Sequence, residues 1–231
     1  MIGRPRVHHR VTDSTNERAK RLAAGGAPHG TLVTADEQSA GRGRQGRAWT
    51  AEAGHALLMS LLLRGLGRED ALLPLVAAVA VCEACEETAE VSCAIKWPND
   101  VWIGGRKVSG ILVEGRPQEG WAVLGVGVNV STPGFPDELA ETATSLALAA
   151  PHAPPLDAVL DALLRSLDLL LSAPAAQVLD GWRERDALRD TPVVWNGGRG
   201  RGAGITDTGA LRVETNAGIV ELDAGEVHLK R

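Results

Sequence analysis

The sequence predicts a mixed α/β (α+β) fold, a mainly antiparallel sheet with helices packed on it, followed by a small all-β unit. Three observations carry this prediction. Strand-length apolar runs are interleaved with amphipathic stretches of helix length. Short glycine-containing connections, Gly104-Gly105 and Gln118-Glu119-Gly120, join consecutive runs as hairpins. From about Thr191 the chain changes to short strands separated by turn residues. By the usual ~100–200 residues per domain, the 231 residues hold one large or two unequal domains.

Taken in order, Val7 to Val11 is a strand, and Asp13 to Ala24 a helix that Gly25-Gly26 stops. Ser14 and Glu17 have the spacing of a capping box at its start. Thr31 to Ala35 and His55 to Leu63 are strands on either side of an arginine-rich loop. Leu72 to Ala89 is a helix, with Pro74 tolerated in its first turn. Val91 to Lys96, Val108 to Glu114 and Trp121 to Val130 are further strands. The proline-rich stretch 150–155 then leads to amphipathic helices at Leu156 to Leu171 and Ala175 to Ala187. Beyond the boundary near 188–191, Val193 to Trp195, Leu211 to Thr215 and Ile219 to Leu222 are short strands, separated by Asn196-Gly197-Gly198 and Asn216-Ala217-Gly218. About 40 residues of this kind fit a small barrel that gains stability by packing on a larger domain. The division is 1–188 and 189–231.

Composition sets limits on function. Hydrophobic residues make up 44% and charged residues 23%, which is globular and not disordered. Arg4-Pro5-Arg6 leads directly into His8-His9-Arg10, with no apolar stretch of the signal-peptide kind. The longest apolar runs fall short of the ~20 residues that span a bilayer. A cytoplasmic protein with no membrane partner is expected. Cys82, Cys85 and Cys93 are an odd number without a secretory signal, which argues against a disulfide framework. Cys82-x-x-Cys85 lies inside an apolar-periodic helix, and no second ligand pair appears at zinc spacing. They read as buried thiols, and no metal site is expected.

Residues 41–47 read Gly-Arg-Gly-Arg-Gln-Gly-Arg in a chain of formal net charge −5. Glycines leave backbone N–H groups unshielded, and each guanidinium offers a planar fork suited to carboxylate or phosphate. The segment is an anion-binding loop, or else a solvated hairpin. Gln38 before it and Trp49 after it add an amide and an aromatic, which fits a small ligand with polar and flat parts. Lys96-Trp97-Pro98-Asn99-Asp100 ends an apolar strand in a turn; Pro98 forces extended geometry on Trp97, so Lys96 is a charge fixed at a strand end. Lys107 follows on the strand after Gly104-Gly105, and the hairpin is expected to hold two cations on neighbouring strands. The lone-lysine alternative, an edge residue that discourages aggregation, fits this pair poorly.

Together, Asp13-Ser14-Thr15-Asn16, Gln38, the 41–47 loop with Trp49, Lys96-Trp97-Pro98-Asn99-Asp100, Lys107 to Glu114 and Gly125-Val126-Gly127-Val128-Asn129 resemble, in order, the motifs of biotin-protein ligases. The resemblance covers nearly the whole chain. Gly209-Ala210-Leu211 and Gly225-Glu226-Val227 are similar to that family's small C-terminal Src-homology-like barrel. It implies a class II synthetase-like catalytic domain and a two-step reaction. Biotin and ATP give biotinyl-5′-adenylate and pyrophosphate, and the biotinyl group passes to a lysine of the biotin carboxyl carrier domain of acetyl-CoA carboxylase or a related carboxylase.

The resemblance also implies roles. Biotin binding falls to Ser14, Thr15, Asn16, Gln38, Gly41, Arg42, Gly43, Arg44, Trp49, Lys96 and Gly110. ATP binding falls to Arg42, Arg44, Lys96, Asn99, Lys107 and Asn129, with Mg²⁺ accompanying the triphosphate. Without it, Ser14 and Glu17 would be read as capping alone. A carboxylic acid is already ionised at neutral pH, so its activation needs no general base; the obstacle is repulsion between carboxylate and α-phosphate. Catalysis is then positioning and charge neutralisation, with Lys96, Arg42 and Arg44 as the catalytic cations. The mixed anhydride must be shielded from water. The loop 41–49 is expected to order over the ligand, with Trp49 in the lid, and residues 131–143 to form a second cover on the nucleotide side.

Two alternatives differ in class or substrate. Lipoate-protein ligases adenylate on a related fold but with motifs unlike 96–100. Gly41 to Arg44 and Gly198 to Gly202 are similar to Arg/Gly segments that bind RNA, yet both are bracketed by apolar strands in an acidic chain. Some biotin-protein ligases carry an N-terminal helix-turn-helix; about ten residues precede Asp13 here, too few for a recognition helix. A monofunctional ligase without sequence-specific DNA binding is therefore expected. Family members often dimerise through the large sheet, which leaves a homodimer open.

Overall fold

A computed structural model describes residues 2–66, 71–116 and 119–229. The first sheet has seven strands: β1 (Arg6–Thr12), β2 (Leu32–Gln38), β3 (Ala56–Arg64), β4 (Ala94–Lys96), β5 (Asp100–Ile103), β6 (Arg106–Arg116) and β7 (Trp121–Asn129). Their spatial order is β1-β2-β3-β7-β6-β5-β4. Only β1 and β2 pair in parallel; every other pair is antiparallel. Of the expected Gln118-Glu119-Gly120 connection, Gln118 lies outside the described residues, and Gly120 has the positive φ of a turn glycine.

Helices cover both faces. On one, α1 (Thr15–Ala24) packs Ala19 and Ala23 against Val33, Leu62 and Val123. On the other, α2 (Leu73–Thr88) is apolar nearly all round and is enclosed by the sheet, α5 (Leu156–Leu170) and α6 (Ala175–Arg183). A helix apolar on every side must be buried on every side. The central strands β3 and β7 are buried along nearly their whole length for the same reason, so their sequences read as continuous apolar runs instead of alternating ones. Short helices α3 (Asp137–Ala140) and α4 (Leu146–Ala149) lie beyond β7; Ser145 caps α4 by accepting from Leu148 N at 3.2 Å. All three cysteines are buried and free. No helix among the described residues is long and apolar enough to cross a membrane.

The second sheet holds β8 (Pro192–Trp195), β9 (Gly198–Ile205), β10 (Leu211–Thr215), β11 (Gly218–Leu222) and β12 (Val227–Leu229) in the order β11-β10-β9-β8-β12. The small C-terminal all-β unit is thus present, and no ladder joins β11 to β12 among the described residues.

Several expectations are corrected. The stretch 198–202 is a strand: a Cβ at Gly200 would stand 2.3 Å from Glu214 O and one at Gly202 2.0 Å from Leu188 O. These glycines serve close backbone approach and not an RNA-binding tract. Strand β5 was not anticipated, and it lies between β4 and β6, so Lys96 and Lys107 are two strands apart and not on neighbouring strands. Helix α6 stops at Arg183 and not Ala187, because the next residues leave it to bond β4: Ile95 N donates to Arg185 O at 2.6 Å and Ala187 N to Ile95 O at 3.0 Å. Strand β4 starts at Ala94 and not Val91, since Cys93 N is held by the Glu86 carboxylate at 2.9 Å. Ser14 is the N-cap of α1, but no side-chain capping bond forms; the Asp13 carboxylate instead accepts from Ser14 N at 2.9 Å. That bond, with Thr12, Arg21 and Arg18 beside it, holds the Asp13 carboxyl well below the usual range. The capping box is not made.

Candidate active site

A cleft whose empty volume, open solvent included, is about 840 Å³ lies over β6 and β7. Its walls are the start of α1, Gln38 at the end of β2, the 42–49 loop, the 96–100 turn and, from the second sheet, Glu226 and Val227. Of the residues singled out in the sequence, Ser14, Thr15, Asn16, Gln38, Arg42, Gly43, Arg44, Trp49, Lys96, Asn99, Lys107 and Gly110 all line it. Gly41 and Asn129 do not.

One end is lined by uncharged side chains that bond one another. Gln38 Oε1 accepts from Thr15 N at 2.8 Å and Thr15 Oγ1 at 3.1 Å. Ser60 Oγ stands 2.8 Å from Thr15 Oγ1 and 2.6 Å from Asn16 Oδ1. Asn16 Nδ2 donates to Glu114 Oε2 at 2.9 Å. A Cβ at Gly125 would stand 2.2 Å from Asn16 Oδ1, so only glycine lets this amide lie on β7. Burial alone would raise the Glu114 carboxyl, but the Asn16 hydrogen bond, Lys20 and Arg42 bring it below its ordinary value.

The floor is a glycine pair. Gly110 and Gly127 face each other across β6 and β7, and the Trp49 indole rests on both: added Cβ atoms would lie 2.9 Å and 2.5 Å from its ring. Trp49 Nε1 is buried without a hydrogen-bond partner among the described residues.

The other end is cationic. Lys96 ends β4 opposite Asp100 of β5 and lies 5.6 Å from the Trp102 ring centroid. Burial pulls its ammonium below the ordinary lysine value, Asp100 opposes the shift and Lys107 adds to it. Lys107 pairs with Asp100 at 2.7 Å and stands 5.7 Å from the Trp49 ring. Arg44 donates to Asn99 Oδ1 at 3.1 Å, and Asn99 Nδ2 in turn donates to Ile111 O at 2.9 Å, which fixes the Asn99 amide.

The loop is a small hairpin. Trp49 N donates to Gly41 O at 3.0 Å and Gly43 N to Arg47 O at 2.7 Å, with one 3₁₀ turn, Arg44–Gly46, at its tip. Gly41 closes its base, where a Cβ would meet Trp49 O at 2.2 Å. Arg42 is turned toward the neutral end: it pairs with Glu17 and lies 3.9 Å from Glu114, while Lys20 joins the same acids at 2.6 and 3.0 Å. Arg47 pairs with Glu226.

A second cavity, about 1360 Å³ with open solvent included, adjoins the first, and Trp49, Asp100 and Lys107 line both. Asn129 belongs to this one; its Nδ2 donates to Thr144 O at 3.0 Å. One wall comes from Thr132, Gly134, Phe135, Pro136 and Leu139, within the segment anticipated as a second cover, and another from Trp102 and the residues that follow Trp49. Sequence reasoning missed Ser60, Glu17, Glu114, Asp100 and Glu226 as site residues. Glu17, Asp100, Glu114 and Glu226 sat inside quoted motifs without a role assigned to them; Ser60, within an apolar strand, carried no local signal. No cluster of three metal-ligating side chains occurs among the described residues.

Residues 8–131 match the model of the biotin/lipoate A/B protein ligase family, and residues 199–230 that of the biotin protein ligase C-terminal domain. The chain belongs to the biotin/lipoate A/B protein ligase family. It is 36% identical over 251 aligned positions to the bifunctional ligase/repressor BirA of Bacillus subtilis, covering 99% of this chain and 75% of that protein. It is 36% identical to the biotin–[acetyl-CoA-carboxylase] ligase of Paracoccus denitrificans, covering 94% and 97%. A solved biotin protein ligase from Aquifex aeolicus, in complex with biotin and ATP, superposes with a TM-score of 0.87 at 30% identity over 99% of both chains. The enzyme is an ATP-dependent biotin-protein ligase.

Proposed function

We propose that the ligase joins biotin to ATP as biotinyl-5′-adenylate with release of pyrophosphate. It then passes the acyl group to the ε-amine of a lysine on a carboxylase's biotin carboxyl carrier domain, forming an amide and releasing AMP and a proton. The observation that carries this is one cleft with a neutral, hydrogen-bonded end and a cationic end, continued past Trp49 into a second cavity. A bicyclic ureido ring suits the Ser14, Thr15, Asn16 and Gln38 end, and the carboxylate then points at Lys96 and Arg44.

In the first step a carboxylate oxygen attacks the α-phosphorus and the bond to the β-phosphate oxygen breaks. Both reactants are anions, so Lys96 neutralises carboxylate and α-phosphate together, and Arg44, held by Asn99, does so from the loop. Preorganised cations of this kind need no reorganisation as charge moves. Lys107 faces the nucleotide cavity and Asn129 shapes its wall. Mg²⁺ enters with ATP as part of the substrate. We assign residues 1–188 to this chemistry, 189–231 to a smaller C-terminal unit, and the enzyme to the cytoplasm with the carboxylases it modifies.

The test is biotin-dependent exchange of pyrophosphate into ATP. Exchange with biotin and none with lipoate or octanoate is expected; equal exchange with lipoate overturns the substrate assignment.

A further inference from the structure

An acid in a cleft that collects cations for an anionic substrate calls for a reason. Glu226 comes from the second sheet, just before β12, and its side chain is only 23% exposed. Its carboxylate pairs with Arg47, stands 3.6 Å from His228 Nε2, and acts electrostatically on Lys96. The frame behind it is rigid: Trp97 Nε1 donates to Gly209 O at 3.0 Å, and β4 is bonded to the 185–187 segment that leads into the second sheet. Arg47 in turn closes the loop tip, since its O accepts from Gly43 N and its N donates to Arg44 O at 3.1 Å.

Resting on the adenylation reading above, we propose that Glu226 is a positioning residue for the activation step. By holding Arg47, it ties the 3₁₀ turn that carries Arg44 to the second sheet, and so sets Arg44 against Lys96. The corresponding anchor on the far side of the loop is the pairing of Arg42 with Glu17. The second sheet is thereby part of the anion site through one carboxylate.

The loop arginines are themselves trypsin sites, which gives a direct readout. Ligand-free protein carrying Glu226→Gln should be cut after Arg42 and Arg44 two- to fivefold faster than wild type, the scale of a partly exposed ion pair. Arg47→Glu should do the same. The exchanged pair Arg47→Glu with Glu226→Arg should return to within twofold of wild type. In exchange assays Glu226→Gln should raise the KM for ATP three- to tenfold and leave that for biotin within twofold. A purely structural role would not split the KM for ATP from that for biotin. Unchanged cleavage in the single variants, or a double variant no better than either, overturns the proposal, even where a variant is cut throughout by unfolding. Absent exchange in the wild type would remove the proposed reaction while leaving the proteolysis comparison intact.

Discussion

The two ends of the cleft are built on opposite plans. At the neutral end Thr15, Asn16 and Ser60 are at most 4% exposed and satisfy one another from α1 and β3; the site is shaped before anything binds. At the cationic end Lys107 is held by Asp100, Arg44 by Asn99 and Arg47 by Glu226, while Arg42 of the same loop is turned away to Glu17. A neutral ring is recognised by leaving no polar group misplaced, because an unpaired buried one costs about 1–3 kcal/mol. A chain of several cations must instead be kept from repelling itself apart, and interspersed acids and amides do that while fixing direction.

The sharpest way to separate the two ends is Lys96→Ala. Loss of one preorganised donor costs about 10²–10³ in rate, so pyrophosphate exchange should nearly vanish, while biotin binding by calorimetry weakens far less, by the loss of one contact to its carboxylate. Loss of biotin binding as well would mean the ends are not independent. Gly125→Ala attacks the other end, since its methyl would displace the Asn16 amide. Overpacking of about 1–3 kcal/mol should appear as a five- to hundredfold rise in the KM for biotin, with that for ATP unchanged.

A smaller effect is expected from Asp100→Asn, read as pH dependence. Burial already lowers the Lys96 pKa and Asp100 raises it. Removing that carboxylate destabilises the charged ammonium further, so the alkaline limb of the activity profile should move to lower pH. A limb that stays in place would show that another group limits the rate there. Smallest is Asn129→Ala, which removes a wall residue of the second cavity and leaves Thr144 O without its donor. A few-fold rise in the KM for ATP is expected without change for biotin, and equal changes in both would show that Trp49 does not divide the cavities.

Most of the frame was legible because its signals are local. Amphipathic period marks α1 and α5, and the unbroken apolar runs of β3 and β7 announce strands covered on both faces. The 41–47 and 96–100 motifs concentrate charge and turn residues within a few positions, which is why they stood out. Strand β5 was hidden because its four residues follow a proline turn with no room for a visible alternation. In β9 the glycines imitate a flexible tract, and only their distance from Glu214 and Leu188 explains them. The partner acids are invisible for a different reason. Arg47 and Glu226 are 179 residues apart, and nothing near either marks the other until the two sheets are brought together.

Strand β4, which carries Lys96, is the last strand of its sheet, and what lies along its outer side is the 185–187 segment on its way to β8. Three residues of connecting chain thus act as a border, occupying backbone donors and acceptors that would otherwise recruit another polypeptide. The same passage touches the second sheet through Arg189 and Gly202. A protein shortened to end before Arg185 would lose more than its C-terminal part. It would expose a raw sheet margin beside Lys96, and insolubility would be the first symptom, ahead of any defect in chemistry.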